Sequence, residues 1–197
     1  KLIGFLRELP DVLRDYPESD LSLAGRYARS IAYYRANQLD KSFAELDALL
    51  AEHPNDPYFL ELKGQILYEH GRVEEALLYY QQSVVLAPDQ PMLHYGLGQT
   101  LISLDTRDAD VRAIEELRHV IRHEPRNPAA WRLLSIAYGR IGDFGMTALA
   151  MAEAASARGN LAAARQQAQR ARELLPHGSP GWLRAQDILL DIERREG

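Results

Sequence analysis

The sequence predicts an all-α chain built from antiparallel helix pairs that repeat. Three observations carry this. The motif HPNDP at 53–57 returns as APDQP at 87–91 and EPRNP at 124–128. The spacing is regular: Pro54 to Pro88 is 34 residues and Pro88 to Pro125 is 37, and Pro57, Pro91 and Pro128 repeat both intervals. Between the motifs, apolar and small residues recur at spacings of three and four, the period of a helix buried on one face.

Each motif has a physical task. The first Pro stops a helix, because it has no N–H and its ring clashes with the preceding turn. The polar pair makes the turn and offers Asp or Asn as a cap. The second Pro suits the first position of the next helix, where an N–H would be unpaired anyway. A PxxP ligand for an aromatic groove is the other reading of such a motif. The strong helix patterns on both sides of every copy argue against it.

The elements follow in order. Residues 1–22, with LIGFL and VLRDYP, read as short helices or as a linker from a missing upstream domain. The array runs over 23–178, with units at about 23–56, 57–90, 91–127 and 128–178. In 57–90, Leu60, Gly64 and Leu67 make one stripe, Gly71 breaks the chain, and Ala76, Tyr80 and Ser83 make a second. In 23–56 the copy is weaker, and Arg26 and Arg29 replace apolar positions, as expected of a terminal unit with less to bury. In 91–127 three extra residues are expected in the inter-helix turn, around DTRDAD. Gly64, Gly98, Ser30, Ala76 and Ala113 are small where paired helices must approach closely. Pro125 to Pro176 is 51 residues, one and a half times 34, so the last unit carries an odd helix. Three helices are predicted there, at 128–141, 144–158 and 160–175. Ala148, Met151, Ala152 and Ala155 are placed inward on the second. Residues 179–197 form a capping helix with Trp182, Ile188, Leu189 and Ile192 inward.

Composition excludes several functions. Hydrophobic residues make up 46% and charged residues 26%, as in ordinary folded chains. No apolar run approaches the length of a membrane span. A net charge of −5 disfavours nucleic acid as a partner. Residues 1–157 hold 16 basic and 23 acidic groups, while 158–197 hold 7 and 5, so the tail is mildly basic but its charges are interleaved, which predicts a solvated helix face. The absence of Cys excludes disulfides and Cys-based zinc sites. The chain begins at Lys1 without Met or a signal peptide, which predicts a fragment or a processed form.

No catalytic or metal constellation emerges. His119 and His123 are four apart, a spacing that can hold a metal, but a solvated helix face is the expected reading. His123-Glu124 is half of HExxH, and Pro125 ends the helix that such a site needs. GLG at 96–98 has no third Gly and no preceding strand, so it is no phosphate loop. Glu74-Glu75 and Glu115-Glu116 are expected at helix starts, where negative charge complements the dipole.

The 34-residue helix-turn-helix unit resembles the tetratricopeptide repeat (TPR). Leu60, Lys63-Gly64, Leu67, Gly71, Ala76, Tyr80, Ser83 and Pro88 fill the places of its pattern. The resemblance implies a TPR-type right-handed superhelical solenoid with an extra half-repeat and a C-terminal capping helix. A wider resemblance rests on KLIGFL…YP, GRYARSIAYYR, FLELKGQILYEHGRVEEAL, WRLLSIAYGRIGDFGMTALAMAEAASARGNLAAARQQAQRA and GSPGWLRAQDI. These look like the C-terminal TPR region of BepA-like bacterial zinc metalloproteases. In that family an HExxH peptidase domain precedes the TPR region, and the enzymes act in the periplasm on outer-membrane protein quality control and assembly. This chain has no HExxH, so no catalytic residue carries over. The implied role is a non-catalytic scaffold with no cofactor of its own, zinc belonging to a missing peptidase domain. The implied partners are unfolded polypeptide segments, the chain's own upstream peptidase domain and the outer-membrane assembly machinery. The alternative is a free-standing TPR adaptor or pilotin-like assembly factor.

In TPR proteins, a second stripe on each first helix lines a peptide groove. Here it comprises Tyr27, Ile31, Tyr34 and Arg35, then Tyr58, Glu61, Gln65 and Tyr68. It continues with Met92, Tyr95, Gln99 and Ile102, then Arg132, Ile136 and Arg140. Tyr27 and Ile31 stand where a chaperone-tail carboxylate clamp would have two of its polar residues, so a C-terminal carboxylate is not the expected ligand. Aromatic residues and Met suit sequence-tolerant capture of apolar segments.

Overall fold

A computed structural model describes residues 7–196. The stretch LIGFL lies outside them. Among the described residues there are eleven helices and no strand. The chain divides into two compact units, one ending at Ala87 and the other beginning at Pro88.

The first unit holds α1 (Leu9–Asp15), α2 (Leu23–Arg35), α3 (Leu39–Glu52), α4 (Pro57–Glu69) and α5 (Val73–Leu86). Helices α2 and α3 pair, as do α4 and α5. Asp56 caps α4 by accepting from the N–H groups of Tyr58 and Phe59, and Pro57 takes the first helical position. Asn37 ends the first hairpin turn with φ 58° and Gly71 the second with φ 75°. The next N–H then closes back on the helix, Gln38 to Tyr33 at 2.8 Å and Arg72 to Leu67 at 2.9 Å. Ile31, Leu46, Leu49, Phe59, Leu62 and Ile66 form the core between the pairs. At Gly64, an added Cβ would sit 3.1 Å from the Tyr80 ring, so the helices approach as closely as a glycine allows.

Arg29 departs from the sequence expectation. It is fully buried rather than surface-facing. Its Nε and Nη2 donate to the two Glu45 oxygens at 2.7 and 3.0 Å, and its Nη1 donates to the carbonyls of Pro17 and Asp20, both at 2.8 Å. A guanidinium has enough donors in a fixed fork to serve all of these acceptors. It thus ties the 16–20 segment to α2 and α3. The Glu45 contact, first among its causes, raises its pKa further.

The second unit holds α6 (Pro91–Ser103), α7 (Arg107–His123), α8 (Pro128–Ile141), α9 (Phe144–Ala157), α10 (Leu161–Leu174) and α11 (Pro180–Glu196). The three helices predicted after Pro128 are therefore α8, α9 and α10. The extra residues around DTRDAD do not enlarge the turn. They lengthen α7 to 17 residues, against 14 in α5, because Thr106 caps it by accepting from Ala109 N–H. Glu115 and Glu116 consequently lie in mid-helix, not at a helix start as expected, while Glu74 and Glu75 do open α5. An added Cβ at Gly98 would lie 2.8 Å from Leu117 Cγ, the close approach expected of α6 and α7.

The C-terminal core is built from small residues. Ala148, Leu149, Ala152 and Ala155 of α9 meet Ala164, Ala168 and Ala171 of α10, and Ala185, Ile188, Leu189 and Ile192 of α11. Met151 was expected inward but is 43% exposed, because its neighbour Ala152 takes the buried register. Trp182 lies half-buried beside His177, with ring centroids 4.3 Å apart, and under the Arg172 guanidinium. No helix among the described residues is long and apolar enough to cross a membrane.

Candidate functional site

In the first unit the second stripe of α2 and α4 is rich in tyrosine. Tyr27, Tyr34, Tyr58 and Tyr68 are all half-buried. Tyr27 packs on Phe59 with centroids 5.5 Å apart. Burial, aided by Glu61 and Asp56, pushes its phenol up to about 12. Tyr34 donates its hydroxyl to Glu69 and meets the His70 ring edge-on at 6.0 Å. Gln65 Nε2 donates to the other Glu69 oxygen at 2.9 Å. Glu69 thus organises this face, although the sequence reading omitted it. Its position four residues after Gln65 was the available signal. Glu61 is half-buried on the same helix.

Two assignments in this unit need correction. Ile31 is fully buried in the core with Leu46, Leu49 and Phe59, so it offers no surface to a ligand. Arg35 is exposed but engaged: its Nη1 donates to the Arg7 carbonyl at 2.9 Å, and Nη2 lies 3.7 Å from Glu8.

In the second unit, Met92 is 47% exposed on α6, and Tyr95 and Gln99 are half-buried. Ile102 is only 6% exposed, which removes it from the accessible stripe. On α8, Arg132 is exposed and Ile136 half-buried. Arg140 acts structurally. Its Nη1 donates to the Ile102 carbonyl at 2.6 Å and lies 3.2 and 3.4 Å from Asp105 and Asp110. Asp110 is nearly fully buried, and burial raises its pKa despite Arg140.

The histidines also differ from expectation. His119 is not on a solvated face. It is half-buried and stacked between His94 and His123. Among the described residues no group of three or more His, Cys, Asp or Glu is placed to hold a metal ion.

The fold is the tetratricopeptide-repeat fold. The sequence model of a tetratricopeptide repeat family matches residues 27–91. The structure is similar to that of MamA from Desulfovibrio magneticus RS-1, with a TM-score of 0.64 at 19% identity, covering 87% of this chain and 93% of that one. It is also similar to PilW, a type IV pilus biogenesis factor, with a TM-score of 0.57 at 17% identity, covering 92% and 87%. In sequence, the chain is 26% identical over 139 residues to the beta-barrel assembly-enhancing protease of Yersinia pestis. That match takes in 71% of this chain but only 28% of the relative's length.

Proposed function

We propose that the chain is the substrate- and partner-contacting part of a longer periplasmic zinc metalloprotease that serves outer-membrane protein quality control and assembly. The match to the beta-barrel assembly-enhancing protease supports the parentage. The observation that carries the binding role is the tyrosine face of α2 and α4. Tyr34 and Tyr68 stand on two successive first helices, each half-buried, with ring surface left over after packing. Rings fixed on rigid helices offer large apolar contact area at little conformational cost. Met92 and Tyr95 offer a comparable surface on α6, and Met adapts to varied side chains.

On this reading each first helix contributes apolar ring surface with a polar edge. It takes exposed apolar stretches of an unfolded polypeptide without demanding one sequence. No peptide bond is cut by this chain, and zinc chemistry belongs to a peptidase domain elsewhere in the parent. The contact residues are Tyr27, Tyr34, Tyr58, Glu61, Gln65 and Tyr68 on the first unit and, as a surface of its own, Met92, Tyr95, Gln99, Arg132 and Ile136 on the second.

The test replaces Tyr34, Tyr68 and Tyr95 together by Ala and measures binding of an unfolded outer-membrane β-barrel polypeptide by fluorescence anisotropy. Each aromatic truncation at a contact costs about 1–2 kcal/mol, so the triple change should weaken binding at least about tenfold with the helical circular dichroism unchanged. Undiminished binding would show that these rings do not form the contact surface.

A further inference from the structure

The mildly basic C-terminal segment is not explained by the groove. The structure gathers part of it around a polar cavity of about 630 Å³ in the second unit. Three parts of the unit meet there. The turn before α8 supplies Arg126, the end of α9 supplies Glu153, Ser156 and Ala157, and α11 supplies Arg184, Asp187, Leu190, Asp191, Arg194 and Arg195.

The charges are not evenly spent. Glu153 is 5% exposed and takes both Nε and Nη2 of Arg184, the latter at 3.0 Å. This bidentate contact fixes the Arg184 guanidinium while 53% of its side chain stays exposed. Asp187 also acts on Arg184, and Arg195 is paired with Asp191 at 2.6 Å. Arg126 and Arg194 make no ion pair or hydrogen bond among the described residues. So Glu153 and Asp191 are each paired with an arginine, while two guanidinium groups keep all their donors. Leu190, 40% exposed, adds an apolar surface beside them. Small residues at Ser156, Ala157 and Gly159 leave the room in which a chain segment fits.

We propose that this cavity is a second binding site, which takes an acidic polypeptide segment. Carboxylates of the segment pair with Arg126 and Arg194, and an apolar side chain next to them rests on Leu190. Arg is suited to this role because its planar fork matches a carboxylate in two parallel hydrogen bonds. Asp187 lines the same cavity with no arginine in direct contact among the described residues and repels a diffuse anion. The site therefore selects carboxylates spaced along a chain rather than a free small anion. It lies outside the stripe of first-helix tyrosines and does not rest on the groove reading.

The test measures anisotropy of a short labelled peptide that alternates Glu and Leu, against a counterpart with Gln for Glu. Inorganic phosphate is added as a competitor. The acidic peptide is expected to bind and the Gln peptide not. Affinity should fall with added salt, as for exposed charge pairs. The double variant Arg126→Glu, Arg194→Glu should weaken binding at least about tenfold, the loss of one to two charged contacts at a site of this kind. Both side chains lack partners, so its melting temperature should stay near that of the wild type. The variant lacking the three groove tyrosines should keep acidic-peptide binding, which separates the two sites. Equal binding of the Gln peptide overturns the proposal, as does undiminished binding by the double variant. Displacement by millimolar phosphate overturns it in favour of a small-anion site. A lower melting temperature with unchanged peptide binding overturns it too, and assigns the arginines to the negative C-terminal ends of α9 and α11.

Discussion

His94 stacks face to face on His119, with ring centroids 3.8 Å apart and planes inclined by 18°. His123 continues the stack at 4.5 Å. His94 Nδ1 lies 2.5 Å from a Glu116 oxygen, and its Nε2 lies 2.7 Å from the Pro88 carbonyl. Trp131 makes the equivalent bond one repeat later, donating Nε1 to the Pro125 carbonyl at 2.8 Å. The same side-chain position thus ties α6 and α8 to the proline turns before them, whereas α4 has Leu60 there. His119 lies in the middle, and its Nε2 is buried without a partner among the described residues. Arg122 approaches its Nδ1 at 3.4 Å, and His123 Nδ1 is 3.0 Å from its carbonyl.

Burial first, then the charges of His94, His123 and Arg122, lower the His119 pKa from 6.5, against a small opposing effect of Asp89. A lowered histidine pKa means that the unfolded chain binds more protons. Stability is therefore full above about 6.5, is lost as the pH falls below that value, and levels off below the lowered folded value. His119→Phe keeps a flat ring in the stack without titrating. Its melting temperature should change less between neutral pH and about pH 5 than that of the wild type. An identical pH response in both proteins would remove His119 as the cause.

Arg29 makes the first unit sensitive to one buried charge. Replacing it by Ala removes both hydrogen bonds to Glu45 and the guanidinium donor of the Asp20 carbonyl, while the Pro17 carbonyl keeps Asp20 N–H and Glu45 keeps only Arg26 at 3.6 Å. The expected cost is about 3–5 kcal/mol in urea unfolding, the range for breaking a buried pair. Arg29→Lys should recover little of it, since one ammonium cannot reproduce the fork. A cost below about 1 kcal/mol, the value of an exposed pair, would show that the contacts are dispensable.

Ala152 is fully buried among alanines of α9 and α10 and the apolar side of α11. Ala152→Leu should destabilise by roughly 1–3 kcal/mol through overpacking. Met151→Ala, at an exposed neighbouring position, should stay within about 0.5 kcal/mol of the wild type. Thermal unfolding of the two variants checks both values, and the reverse ranking would mean that α9 is rotated.

Gly98 and Gly139 should respond oppositely to Ala. At Gly98 the new Cβ meets Leu117 at 2.8 Å, so the clash outweighs the gain in helix propensity, and a net cost of about 1–3 kcal/mol is expected. At Gly139 the nearest atom is Thr147 Oγ1 at 3.7 Å, an ordinary contact. There Gly139→Ala should stabilise by about 0.5–1 kcal/mol. Chemical denaturation of the pair reads both signs, and stabilisation by Gly98→Ala would show that α6 and α7 can separate at no cost.

The helix boundaries after Pro128 were legible because they are written locally. Gly142 and Gly159 adopt φ of 86° and 76°, and Asp143 and Asn160 cap the helices that follow. Each signal acts within a few residues, so it survives without knowledge of the fold. The length of α7 was missed because Thr106, a good cap, competes with Asp105 for the turn, and spacing alone does not choose between them. The burial of Arg29 is not legible in its polarity, which by itself predicts exposure. Its partner Glu45 is 16 residues away, on another helix.

The sequence by itself determined an all-helical chain of paired helices, with small residues where the pairs close. Prolines, caps and the period of three and four act through the chain's own backbone, and no distant partner is needed for them. Only the tertiary structure decided which second-stripe residues remain open. Ile31 and Ile102 fall on the stripe by register yet are buried, while Arg140 is drawn onto Asp105 and Asp110. Periodicity assigns a residue to a face of its own helix. Whether that face meets another helix or solvent depends on packing between segments far apart in the chain.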